Sequence, residues 1–139
     1  MNLTLFTVEE ANALLPRIEP KLRGLSELKR EYNGRRRHAE VLDVASSGAT
    51  DGNPDTVALR AEEDRLKRLA ERIRSGVGEI HGHGCLVKDL DQGLVDFYAL
   101  SGDRLIFLCW KVGESEVSHW HTLEGGFQGR KPLQRSELE

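Results

Sequence analysis

No apolar run in this chain approaches the roughly 20 residues that a membrane-spanning helix needs, so no membrane role is expected. Nor is there a surplus of basic charge. The 20 Lys and Arg residues are outnumbered by 23 Asp and Glu, leaving a net charge of −3. A general nucleic-acid binder would carry a basic footprint, so nucleic acid is not an expected partner. Cysteine is scarce too: two in 139 residues cannot form the disulfide framework of a small secreted domain. Met1–Phe6 has neither the basic n-region nor the long apolar core of a secretory signal. These absences predict a cytoplasmic protein with free thiols. Also missing are the CxxC, HExxH and EF-hand spacings. Gly125, Gly126 and Gly129 lack the strand-then-helix context of a P-loop or dinucleotide turn.

What is present divides unevenly along one domain, residues 1–139, read as a helical arm over 7–80 and a sheet body over 85–130. Thr7-Val8-Glu9-Glu10 has the S/T-x-x-E form of a capping box. Apolar residues then recur at Val8, Ala11, Leu15, Ile18, Leu22, Leu25, Leu28 and Tyr32, three or four apart, which predicts one helical face. Pro16 and Pro20 fall inside this pattern and each removes a backbone donor, so a kink or break is expected there. Asn33-Gly34 is a second weak point before the helix resumes to about Leu42. Residues 45–53 read as a loop. Asn53-Pro54-Asp55 opens a second helix, with a cap, a proline at the first turn and an early acid. Its stripe is Leu59, Leu66, Leu69, Ile73, Val77 and Ile80, interrupted by Glu62. The short connection predicts an antiparallel hairpin. Folding it about residue 48 brings Arg35–Arg37 near Glu62, Glu63 and Asp64, which favours charges paired within the hairpin over an anion site.

Gly76, Gly78, Gly82 and Gly84 mark the expected end of helix. Strands are then predicted at Cys85–Asp89, Leu94–Leu100, Arg104–Lys111 and Glu116–Leu123, separated by short turns. Short connections predict an antiparallel meander. The fold class is therefore α+β: a long antiparallel helical hairpin followed by a small three- to four-stranded antiparallel sheet. Leu105–Trp110 is apolar on both faces, which predicts a central strand covered on both sides. The hairpin supplies one cover. A second copy of the chain is the expected other, and a helix from Val8 to Leu42, roughly 50 Å at about 1.5 Å per residue, exceeds what a small body needs. A homodimer or higher homo-oligomer is expected, with a protein partner on the arm as a further candidate.

Several segments are familiar in combination: Phe6-Thr7-x-x-Glu10-Ala11-Asn12-x-Leu14-Leu15-Pro16, Val87-Lys88-Asp89-Leu90-x-x-Gly93-Leu94-Val95-Asp96-Phe97 and Leu108-Cys109-Trp110-Lys111-x-Gly113-Glu114. With Trp120-His121 and Gly126-Phe127-x-Gly129-Arg130, the chain resembles an uncharacterised bacterial family, domain of unknown function 2203. The likeness covers nearly everything except the 43–54 loop. It implies that Lys88, Asp89, Asp96, Cys109, Trp110, Glu114, His121 and Arg130 belong to a shared pattern. It implies no activity. His81, His83 and His119 fall outside that pattern.

Chemistry is suggested by the carboxyl-terminal half, which holds both cysteines and four of the five histidines. Side chains at i and i+2 on a strand share a face, so His119 and His121 are expected to chelate one ion. His81 and His83 alternate in the same way, and Glu114 or Glu116 offers a carboxylate. Zinc or iron suits imidazole, thiolate and carboxylate donors. The bland alternative is half-exposed rings and a flexible loop. A second reading makes Cys109 a reactive thiol, with His121 as base and Asp96 or Glu114 orienting the ring. Against it stands the apolar strand around Cys109, where a cysteine is ordinarily inert. A third reading is a metal-free polar pocket using Lys88, Asp96, Trp110 and Arg130, in which a buried Asp96 needs Arg130 or Lys88 as partner. The sequence thus favours a small transition-metal-binding protein, with a metal-free, homo-oligomeric interaction module as the alternative.

Overall fold

The computed structural model describes residues 3–134. Helix α1 (Val8–Ala45) starts at the expected capping box: Glu10 N donates to Thr7 Oγ1 at 3.1 Å and Thr7 N donates to Glu10 Oε1 at 2.9 Å. The helix runs without interruption through Pro16 and Pro20 and past Gly34, where a kink or break was expected. Both prolines lie on the exposed side of the helix, so their rings do not enter the core. On the opposite side Leu15, Ile18, Leu22 and Leu25 are buried. Burial at roughly 1.5–3 kcal/mol per large side chain offsets the roughly 3 kcal/mol that each interior proline costs.

Helix α2 (Pro54–His81) begins with Asn53 as cap, its Oδ1 accepting from Asp55 N at 2.9 Å. It continues through Gly76 and Gly78 and ends at His81, one residue past the expected end of the arm. At Gly76 the two helices pack closely. A Cβ there would lie 2.4 Å from Leu25 Cδ2, so the missing side chain lets the helices approach. The glycine signals packing here.

Five strands follow as an antiparallel meander in the order β1 (Leu86–Asp89), β2 (Leu94–Ser101), β3 (Arg104–Lys111), β4 (His119–His121) and β5 (Lys131–Pro132). The fourth strand is shorter than expected. A 3₁₀ turn at Phe127–Gly129 and a fifth strand stand in place of the expected loop and tail. One face of the sheet carries Val95, Phe97, Ala99, Ile106, Leu108, Trp110 and Trp120 into a core shared with Ala11, Leu15, Ile18, Leu22 and Leu25. Only the first half of α1 joins that core. Farther out, Ala39, Leu42 and Leu69 are buried between the helices, and the buried Glu62 accepts from Arg35 Nη1 at 3.0 Å and lies 3.2 Å from His38 Nδ1.

The Glu62 contacts fix the sign of one pH effect. The Arg35 hydrogen bond, helped by His38, holds the Glu62 carboxyl below its ordinary 4.5 despite burial. A depressed carboxylate contributes stability above its unfolded value and loses it as pH falls through the folded value. In urea unfolding, the stability advantage of the parent over Glu62→Gln should therefore shrink as pH is lowered from about 7 to about 3. A difference that stays constant over that range would show that the pair contributes nothing.

Candidate metal centre

Strand alternation and register build the site. Along β3, Ile106, Leu108 and Trp110 face the hairpin, so Phe107 and Cys109 face the other way. Asp96 pairs across from Cys109, and His121 pairs across from Phe107. Three adjacent strands thus deliver Asp96, Cys109 and His121 to one patch of the face opposite the helices. One donor atom from each residue lies within 4.8 Å of the other two. All three residues are buried, with relative exposures of 3%, 1% and 3%. Among the described residues this is the single group of three or more such side chains gathered so closely.

The His121 ring is held at both nitrogens. Nδ1 lies 2.7 Å from the Thr122 carbonyl oxygen, which can only accept, so Nδ1 carries a proton. Nε2 then points at Asp96 Oδ2, 3.0 Å away. If Nε2 carries only a lone pair, two electron-rich atoms face each other, and the contact is favourable only with a proton or a metal ion between them. Burial raises the Asp96 pKa above its ordinary 3.8, against the charges of His121 and Lys88. The Cys109 thiol is pushed up to about 11, first by burial and then by the Asp96 charge, although Arg130 Nη1 stands 3.9 Å from the sulfur.

Arg130 is committed elsewhere. Its guanidinium grips the Glu114 carboxylate with two hydrogen bonds, the Nη1–Oε1 bond being 3.2 Å. Glu114 Oε1 also accepts from Lys111 N at 2.8 Å, and its carbonyl oxygen accepts from Trp110 Nε1 at 3.0 Å. Burial would raise the Glu114 pKa, but the Arg130 hydrogen bond, the Lys111 amide and the nearby charges of Arg130 and His119 together lower it. This carboxylate is a brace for the β3–β4 turn. The loop after β4 lies over the donors, and Phe127 stacks under Arg130 at 4.7 Å. Between loop and sheet is a cavity of about 160 Å³, bordered by Asp96, Cys109, His121, Lys88, Phe107 and Phe127 among others. A larger groove of about 510 Å³ beside the start of α1 is lined by no histidine or cysteine.

The residues expected to share an ion do not converge on one point. His119 and His121 do share a strand face, yet His119 Nδ1 turns to Ser118 Oγ at 3.0 Å and lies 3.9 Å from Glu114 Oε2, while His121 points inward to Asp96. His81 sits in the last turn of α2, where Nε2 accepts from Val87 N at 3.1 Å. His83 belongs to the turn after it. Neither joins the gathered group, and Glu116 is exposed outside it. Trp110, expected in a pocket, is fully buried on the helix side, because alternation sends it away from Cys109. The partner of Asp96 is His121, with Lys88 acting only through its charge; Arg130 is not in contact with it.

Asp96, Cys109 and His121 were visible in the sequence as members of a thiol reading, but not as a common ligand set. The signal that joins them is register. A thiol titrating near 11 is about one part in ten thousand thiolate at neutral pH, so the metal-free native protein should react slowly with iodoacetamide at Cys109. Cys85, buried and likewise raised to about 11, should be equally slow. Both should label fast in denaturant, and quick modification of Cys109 in the native protein would contradict this electrostatic picture.

Neither the curated proteins nor the solved structures contain a match to this chain. A family model does match, spanning residues 4–133 and so including every residue of the site. The chain belongs to the family of uncharacterized conserved proteins DUF2203.

Proposed function

We propose that the protein binds a divalent transition-metal ion, zinc foremost and ferrous iron second, through Asp96, Cys109 and His121. The observation that carries this reading is the convergence of one carboxylate, one thiol and one imidazole on a common point, with donor atoms within 4.8 Å of one another. Tetrahedral zinc, at about 2.0 Å from nitrogen or oxygen and 2.3 Å from sulfur, separates its ligand atoms by about 3.3–3.5 Å. The Nε2–Oδ2 distance of 3.0 Å is close to that already. A ring donating Nδ1–H to a backbone carbonyl, with Nε2 free, is the usual support of a metal-bound histidine.

Charge favours the same reading. A carboxylate and a thiolate offset a dication, which suits a buried place better than an isolated acid does. The metal would also account for the thiol, since a coordinating cysteine is deprotonated outright whatever its metal-free pKa. Three protein ligands beside a cavity leave a coordination position for water or substrate, the pattern of catalytic rather than structural zinc. The Arg130–Glu114 pair then serves as a positioning element, holding the loop after β4 and the turn before it around Cys109.

The arm supports a separate proposal, self-association. At its loop end Val41, Val44 and Val57 are 64%, 77% and 55% exposed, and Val41 and Val44 are one helical turn apart on α1. A second copy is the occupant we assign to that apolar strip. Sedimentation equilibrium should give a dimer that Val41→Glu with Val44→Glu converts to monomer; a monomeric parent would end this part of the reading.

Protein purified without an affinity tag and dialysed against zinc should hold one equivalent by elemental analysis. Cys109→Ser and His121→Ala should lose it, whereas His119→Ala, His81→Ala and His83→Ala should keep it. With free zinc 100-fold above Kd, the linked stabilisation is about 2.7 kcal/mol, a rise of roughly 10 °C in Tm. A parent that retains no metal, or a His121→Ala variant that retains it fully, would refute the assignment.

A further inference from the structure

We propose that the cavity beside the three donors takes a small monocarboxylate with a short apolar tail, its carboxylate occupying the remaining coordination position and facing the Lys88 ammonium. The inference rests on the metal reading above and adds to it a ligand class and a recognition residue.

Space comes first. The cavity of about 160 Å³ is bordered by Asp96, Cys109 and His121 together, so a ligand in it can reach the donor cluster. A cavity near 150 Å³ holds a molecule about the size of benzene, roughly six heavy atoms. A nucleotide, peptide or sugar would extend beyond this space into solvent. A short carboxylic acid fits.

Charge comes next. With Asp96 and Cys109 ionised around a dication, the centre is neutral and does not repel an anion. Lys88 is the cation among the residues bordering the space. None of the ion pairs among the described residues includes it. Its Nζ is held over the Phe107 ring, 4.6 Å from the centroid, which fixes the ammonium beside the cavity without neutralising it. Arg130 is not a competitor, because Glu114 occupies its guanidinium. One acid, Glu124, also borders the cavity; it is exposed, as Lys88 is, so water screens both charges and Glu124 weakens the pull of Lys88 on an anion.

The walls select the rest of the ligand. Leu94, Phe107, Leu123, Gly126 and Phe127 complete the lining, and the apolar side chains among them offer a short hydrocarbon tail contact rather than hydrogen bonds. A doubly charged acid would leave its second carboxylate against these side chains, a burial without partner. The chemistry therefore points to one carboxylate and a tail of a few carbons.

Cobalt(II)-loaded protein tests this, because the visible d–d bands of cobalt report both the donor set and the entry of a further ligand. Cobalt uptake alone reads the metal assignment. Butyrate should then shift the bands saturably, 1-butanol should not, and succinate should bind more weakly than butyrate. Lys88→Gln should leave the anion-free cobalt spectrum unchanged and weaken butyrate roughly tenfold, as expected for loss of a charge-assisted contact. Glu124→Gln should tighten butyrate slightly. Cobalt uptake with a spectrum indifferent to butyrate overturns this inference alone, as does equal butyrate affinity in the Lys88→Gln protein. Failure to take up cobalt overturns the metal reading and the inference with it.

Discussion

Everything assigned to this protein depends on the register between β2 and β3, which sets Asp96 opposite Cys109. Because side chains alternate along a strand, a slip of β2 by one residue against β3 would send the side chains of β2 to the opposite face. Asp96 would then enter the helix-covered core, away from Cys109, and Val95 and Phe97 would leave it. The apolar set Val95, Phe97, Ala99, Ile106, Leu108 and Trp110 thus holds the chemistry in place from behind. Each buried aromatic among them is worth several times a typical hydrogen bond, so the core decides the register and the polar cluster accepts it.

The polar cluster is tolerated at a cost. A buried carboxylate without a partner is strongly disfavoured, and the upward pull on the Asp96 pKa is the sign of that cost. His121 and Lys88 compensate in part. A proton shared along the Asp96–His121 contact would settle the charge in the absence of metal, and a dication would settle it while also ionising Cys109. Nothing about the packing of the hairpin requires three ionisable groups at this spot. Apolar residues of similar size would stabilise the sheet more simply, which is why their presence is read as function.

Local signals in the sequence and non-local ones behave differently here. The capping box at Thr7, the Asn53-Pro54 start of the second helix and the turns before Leu94 and Arg104 are encoded within a few residues, and each element begins there. Pro16 and Pro20 do not break α1, because packing brings distant side chains against the same helix and overrules their local meaning. The site shows the contrast most clearly. His119 and His121 satisfy a local rule, alternation on a strand, but where each ring turns depends on Glu114, Ser118 and Asp96. Asp96 and Cys109 are thirteen positions apart in sequence, and only the β2–β3 pairing makes them neighbours. The family resemblance, by contrast, already grouped Asp96, Cys109 and His121 apart from His81, His83 and His119.

The most direct test of the account is X-ray absorption at the zinc K-edge on the zinc-loaded protein. A mixed first shell is expected, with a single sulfur at about 2.3 Å and the remaining nitrogen and oxygen scatterers at about 2.0 Å. A first shell without sulfur, or one with two histidines and no thiolate, would place the ion somewhere other than between β2, β3 and β4 and contradict the account.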